Sequence, residues 1–213
     1  MLVVDVVSDL VCPWCYIGKR KLETALQRLR EHEPALEVAV HWHPFQLNPD
    51  LPREGMPRRD YLQAKFGAAN ADQVYARVSN AGAGVGIGFR FDAIQRQPNT
   101  LDAHRLVAWA QGRGDAGPLI ERLFRAYFIE GRMLGDVDEL ARLAADCGYP
   151  DDEVRAFLGS DDEREPVEAE DREAREVGIS GVPFFIFNGK VALSGAQDPE
   201  NLLQAIAKAR AEH

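Results

Sequence analysis

The placement of its strand-forming segments constrains the fold of this 213-residue chain more than any other feature. Near the start, "LVVDVV" (2–7) is β-branched and almost continuously apolar, as a buried strand requires. "ALEVAVHWHPF" (35–45) reads as a second strand, halted by Pro44. Strand character then vanishes until "VPFFIFNGKVALSG" (182–195), where "FFIF" and "KVAL" flank Asn188-Gly189, a strong two-residue hairpin signal. Residues 58 to about 178 show helical periods instead. A sheet must gather its strands. The central block therefore reads as an all-helical insertion between two halves of one α/β domain. The expected division is 1–50 and 179–213 for the α/β domain and 51–178 for the insertion.

The helices carry their own signals. Pro13 suits a first helical position, and Leu22, Leu26 and Leu29 follow at helical spacing. The first 45 residues thus form a β-α-β unit with two parallel strands. After the Pro-rich stretch 43–57, "LIERLFRAYF" places Leu119, Leu123, Phe124, Tyr127 and Phe128 on one stripe. "DVDELARLAADCG" does the same with Val137, Leu140, Leu143, Ala144 and Cys147, between an N-cap at Asp136 and a stop at Gly148. Cys147 reads as an inert core thiol. In 165–178, Glu168 precedes Arg172 by four and Asp171 precedes Arg175 by four, which marks a solvated helix face. A last helix over 198–210 takes Asp198 as cap and Pro199 as first residue.

The net charge of −9 argues against nucleic acid, which needs clustered Lys and Arg. The runs "GKRK" (18–21) and "PRR" (57–59) are short and read as solvated surface. No window approaches the roughly 18 apolar residues of a membrane span. "MLVVDVVSDLVC" lacks the basic start and small-residue cleavage site of a signal peptide, so a cytoplasmic location is expected. Three cysteines do not make a disulfide scaffold.

Two of those cysteines stand in "DLVCPWCYIGK" (9–19). Cys12 falls just before the helix and Cys15 one turn inside it, on the same face. The first turn carries unpaired N–H groups and the positive end of the dipole, which stabilise a thiolate at Cys12. Cys15 is then placed to close a disulfide or to attack a mixed one. Neither Pro13 nor Trp14 adds charge, so the shift rests on helix position alone. Trp14 is expected to be partly exposed and to offer substrate an apolar contact beside Pro13. Two other readings stand beside this one. The pair could be half of a zinc site completed by His41 and His43, or two small apolar residues filling a core.

Pro183 directly precedes a strand in "GISGVPFF" (178–185), which makes Val182-Pro183 a candidate cis peptide. A trans proline opening an edge strand is the alternative. A redox cysteine near a sheet edge needs exposed backbone to hold a substrate, and the N–H and C=O of Val182 would supply it. In "PNTLDAHR" (98–105), Asn99 or Thr100 can cap the next helix. His104, one turn inside that helix, reads first as a hydrogen-bonded packing residue; if the insertion folds over the cysteines, Asn99 or His104 would line the cleft.

These features together resemble the thioredoxin fold, and the central helical insertion resembles its DsbA branch. "SDLVCPWCYIGK", "HPFQLNPDLPREG", "PNTLDAHRLVAWA", "AYFIEGR" and "GVPFFIFNGKVALSGAQDPE" look like the FrnE-type cytoplasmic relatives of DsbA, over nearly the whole chain. The resemblance implies a mixed central sheet in βαβ…ββα order. It also implies a thiol–disulfide oxidoreductase or isomerase, with Cys12 as nucleophile, Cys15 as resolving thiol and Pro183 in cis. DsbA carries a His between its cysteines where this chain has Pro13-Trp14, so a strongly oxidising potential does not carry over. The 2-hydroxychromene-2-carboxylate isomerases and kappa-class glutathione transferases look similar in layout but place Ser at the position of Cys12. Their glutathione sits partly on a loop matching 194–200, which makes Ser194, Gly195, Ala196 and Gln197 candidate contacts. The expected partners are protein or small-molecule thiols and disulfides, with glutathione as the candidate co-substrate, and no metal or organic cofactor is required. Monomer and homodimer are both open. The rival functions are a glutathione-dependent isomerase or transferase and a non-catalytic zinc-binding or docking module.

Overall fold

The first strand, β1 (Leu2–Ser8), is buried because its alternate residues Leu2, Val4 and Val6 all point into the core, each at most 1% exposed. A computed structural model describes residues 1–67 and 71–211. Helix α1 (Pro13–His32) crosses over to β2 (Val38–Pro44), which runs parallel to β1 in a register from Leu2 opposite Val38 to Ser8 opposite Pro44. Pro44 thus closes the strand from inside, at its last pairing position.

The chain then leaves the sheet. A two-residue ladder, β3 (Met56–Pro57) against β4 (Arg96–Gln97), brackets α2 (Arg58–Phe66) and α3 (Ala71–Ala83). Next come α4 (Leu101–Gln111), α5 (Gly117–Phe128), α6 (Val137–Ala145), α7 (Asp151–Gly159) and α8 (Arg164–Glu176). The hairpin β5 (Phe184–Phe187) and β6 (Val191–Ser194) returns to the sheet, and α9 (Pro199–Ala211) ends the described chain. Strand order is β2-β1-β5-β6, with only the β1–β2 pair parallel. This is the thioredoxin-like arrangement with its helical insertion.

Asn188 and Gly189 both have positive φ (51° and 65°), as a tight hairpin turn demands. Asn188 does more than turn the chain. Its Oδ1 accepts from Val3 N–H and its N–H donates to Val3 C=O, both at 2.9 Å, so the hairpin is riveted to β1.

The insertion shares its core with the sheet. Val4, Val6, Phe185 and Phe187 belong to one buried cluster with Leu106, Phe124 and Tyr127. Tyr16 of α1 stacks on Phe124 of α5 at 4.9 Å between ring centres. Gln111, at the end of α4, bonds both main-chain groups of Trp42 through its side-chain amide (2.7 and 2.9 Å) and so covers part of the outer edge of β2. On α8, Glu170 hydrogen-bonds His43 of β2 at 2.5 Å.

Three local expectations need correction. Asp171 is not on a solvated face: it is 5% exposed and accepts from the N–H of Gln46 as well as from Arg175. Arg172 pairs with Glu165 at 4.0 Å. Cys147 lies beyond the end of α6, half-buried, because the helix stops at Ala145 before its stripe would carry the thiol inward.

Candidate active site

Helix α1 starts where β1 ends, so its first turn stands at the carboxyl edge of the sheet. Cys12 is the N-cap residue, with extended backbone (φ −94°, ψ 112°), and Pro13 opens the helix. Proline is tolerated there because first-turn N–H groups have no intrahelical partner. The Cys12 carbonyl accepts from the N–H of Cys15 at 3.0 Å, which fixes Cys15 one turn on. Both cysteines are free thiols. Cys15 is 1% exposed and Cys12 5%, while Trp14 between them is 41% exposed. The N-terminal cysteine is therefore the more accessible residue of the two.

Facing Cys12 is the loop before β5. The Val182-Pro183 peptide bond is cis. The Cys12 thiol donates to the carbonyl of Val182 at 3.6 Å. The Pro183 carbonyl accepts from Gly195 N–H at 2.8 Å, tying the loop to the end of β6. Burial pushes the Cys15 thiol well above its ordinary value, and the neighbouring Cys12 adds to this. The Ser8 hydroxyl and the Asp9 backbone act in the opposite direction.

The structure brings together Cys12, Cys15, Val182, Pro183 and Gly195. It does not bring Asn99 or His104 to the mouth of the cleft. Asn99 accepts from Leu101 N–H (2.9 Å) and donates to Leu51 C=O (2.7 Å), so its amide is consumed in holding α4 to the preceding loop. Thr100 makes no side-chain cap. His104 is 6% exposed and points inward, where its Nε2 lies 3.4 Å from Asp9 Oδ1. In the loop after β6, Gln197 donates to Ser194 C=O, and Lys21 takes Ala196 C=O and the Asp198 carboxylate (3.1 and 2.6 Å). Asp198 therefore spends its side chain on Lys21 of α1. The zinc reading finds no support in the geometry. His43 is held between Asp5 and Glu170, His41 lies 3.5 Å from Asp5, and the described residues contain no metal-ligand cluster.

Two features were absent from the sequence reading. Gly18 is where α1 passes the Pro183 loop: a Cβ there would stand 2.8 Å from Pro183 Cγ and 3.1 Å from Phe185 Cζ. Asp9 is fully buried behind the cysteines. Its signal was a carboxylate directly before an apolar pair, "DLVC", where a solvated loop would be less apolar.

Known proteins share this fold. The chain is similar to a probable DsbA oxidoreductase from Streptomyces coelicolor, at 32% identity over 100% of this chain and 92% of that one, with a TM-score of 0.89. It shares its fold with 2-hydroxychromene-2-carboxylate isomerase (16% identity, 97% and 95% coverage, TM-score 0.71). It also shares it with the cytosolic disulfide reductase DsbM from Pseudomonas aeruginosa (18%, 98% and 95%, TM-score 0.65), a protein also solved with glutathione. A family model for the DSBA-like thioredoxin domain matches residues 3–207. With that match running from β1 into α9, through the paired cysteines and the loop that faces them, the chain belongs to the DSBA-like thioredoxin domain family.

Proposed function

We propose that this protein is a thiol–disulfide oxidoreductase in which Cys12 and Cys15 cycle between dithiol and disulfide. The observation that supports it most directly is the Cys12 sulfur at a helix N-terminus, facing the Val182 carbonyl, with Cys15 buried one turn behind. The Cys12 thiolate attacks one sulfur of a substrate disulfide, forming a mixed disulfide and releasing the first substrate thiolate. Cys15 then attacks the Cys12 sulfur, and the second substrate thiolate leaves. The substrate is reduced by two electrons and the pair is oxidised. The reverse sequence oxidises a substrate dithiol.

Val182 and Trp14 provide the docking surface, one through main-chain groups and one through an exposed indole. Glutathione is the small thiol we assign to recycling the pair, on the strength of the glutathione-bound DsbM of the same fold. A cytosolic setting accords with that choice. The isomerase fold-mate raises a second reading, a glutathione-dependent reaction on a small aromatic substrate. The two differ at Cys15: disulfide exchange needs it, and a reaction that only activates bound glutathione does not.

Titrating the pair against a glutathione redox buffer tests the proposal. We expect one two-electron transition in the wild type. Cys12→Ser should show no turnover, and Cys15→Ser should accumulate mixed disulfides visible by mass spectrometry. Full dithiol–disulfide activity in Cys12→Ser would overturn the assignment.

A further inference from the structure

The helical insertion buries a cation without an anion to match it. Arg58, the first residue of α2, is 8% exposed. Its Nη1 donates to Gln97 Oε1 and to the Tyr127 hydroxyl, and its Nη2 donates to the Tyr75 hydroxyl. All three acceptors are neutral. Burial holds the Tyr75 and Tyr127 hydroxyls above the ordinary tyrosine range, so neither supplies a negative charge. Among the described residues no carboxylate pairs with Arg58. By contrast, buried Arg105 and Lys19 pair with Asp102 and Glu121, at 2.7 and 2.8 Å. Buried charges are ordinarily paired, because an unpaired one gives up its hydration for nothing.

The spare hydrogen-bonding capacity around Arg58 has one sign. Its Nε–H is buried without a partner, and one Nη2–H is unspent. The rings of Tyr61 and Tyr75 face the guanidinium at 5.3 Å, which offsets only part of a full charge. The Gln97 amide is oriented by the same contacts. Its oxygen must face Arg58, which cannot accept, and its Nε2 is left buried and unpartnered. The neighbourhood has donors to spare and lacks acceptors.

Arg58 also lines a cleft of about 450 Å³ between α2, α3 and the segment 89–92. That lies within the roughly 300–1,000 Å³ usual for small-molecule sites. The walls are aromatic. Phe91 packs on Tyr75 at 4.3 Å between ring centres and on Phe89 at 4.9 Å. Asp92, exposed at the rim, is neutralised by Arg90, which holds both of its oxygens at 3.1 Å. We propose that this cleft binds a small organic anion, with a carboxylate or phosphate head at Arg58 and a flat apolar body against Tyr75 and Phe91.

A guanidinium matches such heads in geometry as well as charge, and aromatic walls favour a flat body by offset stacking. The head supplies the negative charge that the fold omits. A neutral molecule of the same shape leaves Arg58 uncompensated and is rejected for that reason. The inference goes beyond disulfide exchange and does not depend on it, since no lining residue belongs to the Cys12–Pro183 site.

Amide NMR of the isotope-labelled full chain tests this. Benzoate and phenyl phosphate are the anionic probes, and benzamide is the neutral one. We expect saturable shifts centred on 58–62, 75–79 and 89–92. Both anions should bind more tightly than benzamide by about tenfold or more, the factor of one charge-assisted hydrogen bond. Arg58→Gln should bring the anions down to the level of benzamide, and Arg58→Lys should retain part of the preference. A merely structural arginine would leave the ratio of benzoate to benzamide affinity unmoved. Ala76→Trp fills the cleft from an exposed position of α3 and should weaken all three probes together. Equal binding of benzoate and benzamide would overturn the inference. So would an undiminished preference for the anions in Arg58→Gln, or no saturable shift at the cleft with either anion. If Arg58→Gln does not fold, Ala76→Trp decides: benzoate binding as tight as in the parent overturns the assignment.

Discussion

Gly18 sets how closely α1 can approach the Pro183 loop, and with it the distance from Cys12 to Val182. A methyl group there would press on the proline ring 2.8 Å away. Gly18→Ala gains helix propensity, worth up to about 1 kcal/mol, but overpacking of this kind costs about 1–3 kcal/mol. We expect net destabilisation in urea unfolding, with a weakened apparent affinity for disulfide substrates because the docking loop shifts. At this scale the sequence was readable where chemistry is local. Cys12, Cys15 and their relation to a helix start follow from three adjacent signals. The buried place of His104 agrees with its reading as a packing residue, but its neighbour was hidden, because the side chain it faces, Asp9, lies 95 positions away in sequence. Asn99 was legible as a cap, since its Oδ1 accepts from Leu101 N–H at the start of α4, whereas its bond to Leu51, a main-chain acceptor, has no sequence signature.

Among the elements, the β5–β6 hairpin and the outer strand β2 are secured in different ways. The hairpin depends on two left-handed residues and on the two bonds from Asn188 to Val3. Gly189→Val places a β-branched residue at φ 65°, and we expect a cost of about 1–3 kcal/mol, read as a lower urea midpoint with unchanged slope. Strand β2 depends on Gln111, whose amide satisfies the Trp42 main chain. Gln111→Ala leaves both groups without that partner. The expected loss is about 1–3 kcal/mol, accompanied by faster hydrogen exchange at the Trp42 amide. The hairpin was legible because Asn-Gly encodes its own geometry. The Gln111 clamp was not, since a glutamine at a helix end reads as surface until the strand beside it is known.

For the whole molecule, the question is what holds the insertion together and what holds it on the sheet. Arg105 is fully buried, bonds Asp102 at 2.7 Å and gathers the carbonyls that end α7. Removing it as Arg105→Leu should cost about 3–5 kcal/mol, the usual penalty for breaking a buried charge pair, and thermal unfolding would show it. His43 joins β2 to α8 and answers to pH. Burial opposes its protonation, but the hydrogen bonds to Glu170 and Asp5 prevail and raise its folded pKa. A raised value stabilises the fold below the unfolded pKa of about 6.5, and that contribution is lost as pH rises through the folded value. The stability gap between wild type and His43→Gln should therefore be widest near pH 6 and narrow by about pH 9 in paired urea titrations. The insertion was foreseen because helical and strand periods differ so plainly. The bonds of Arg105 within it and of His43 between it and the sheet were not, because both reach segments far away in the chain.

The bond from the Cys12 thiol to Val182 carries a last implication. A thiol can donate a hydrogen bond and a thiolate cannot. So long as the sulfur keeps its proton, it engages the oxygen to which we propose a substrate docks. Once the proton departs, that oxygen is released. Arming the sulfur and unlatching the berth for its target are then a single event.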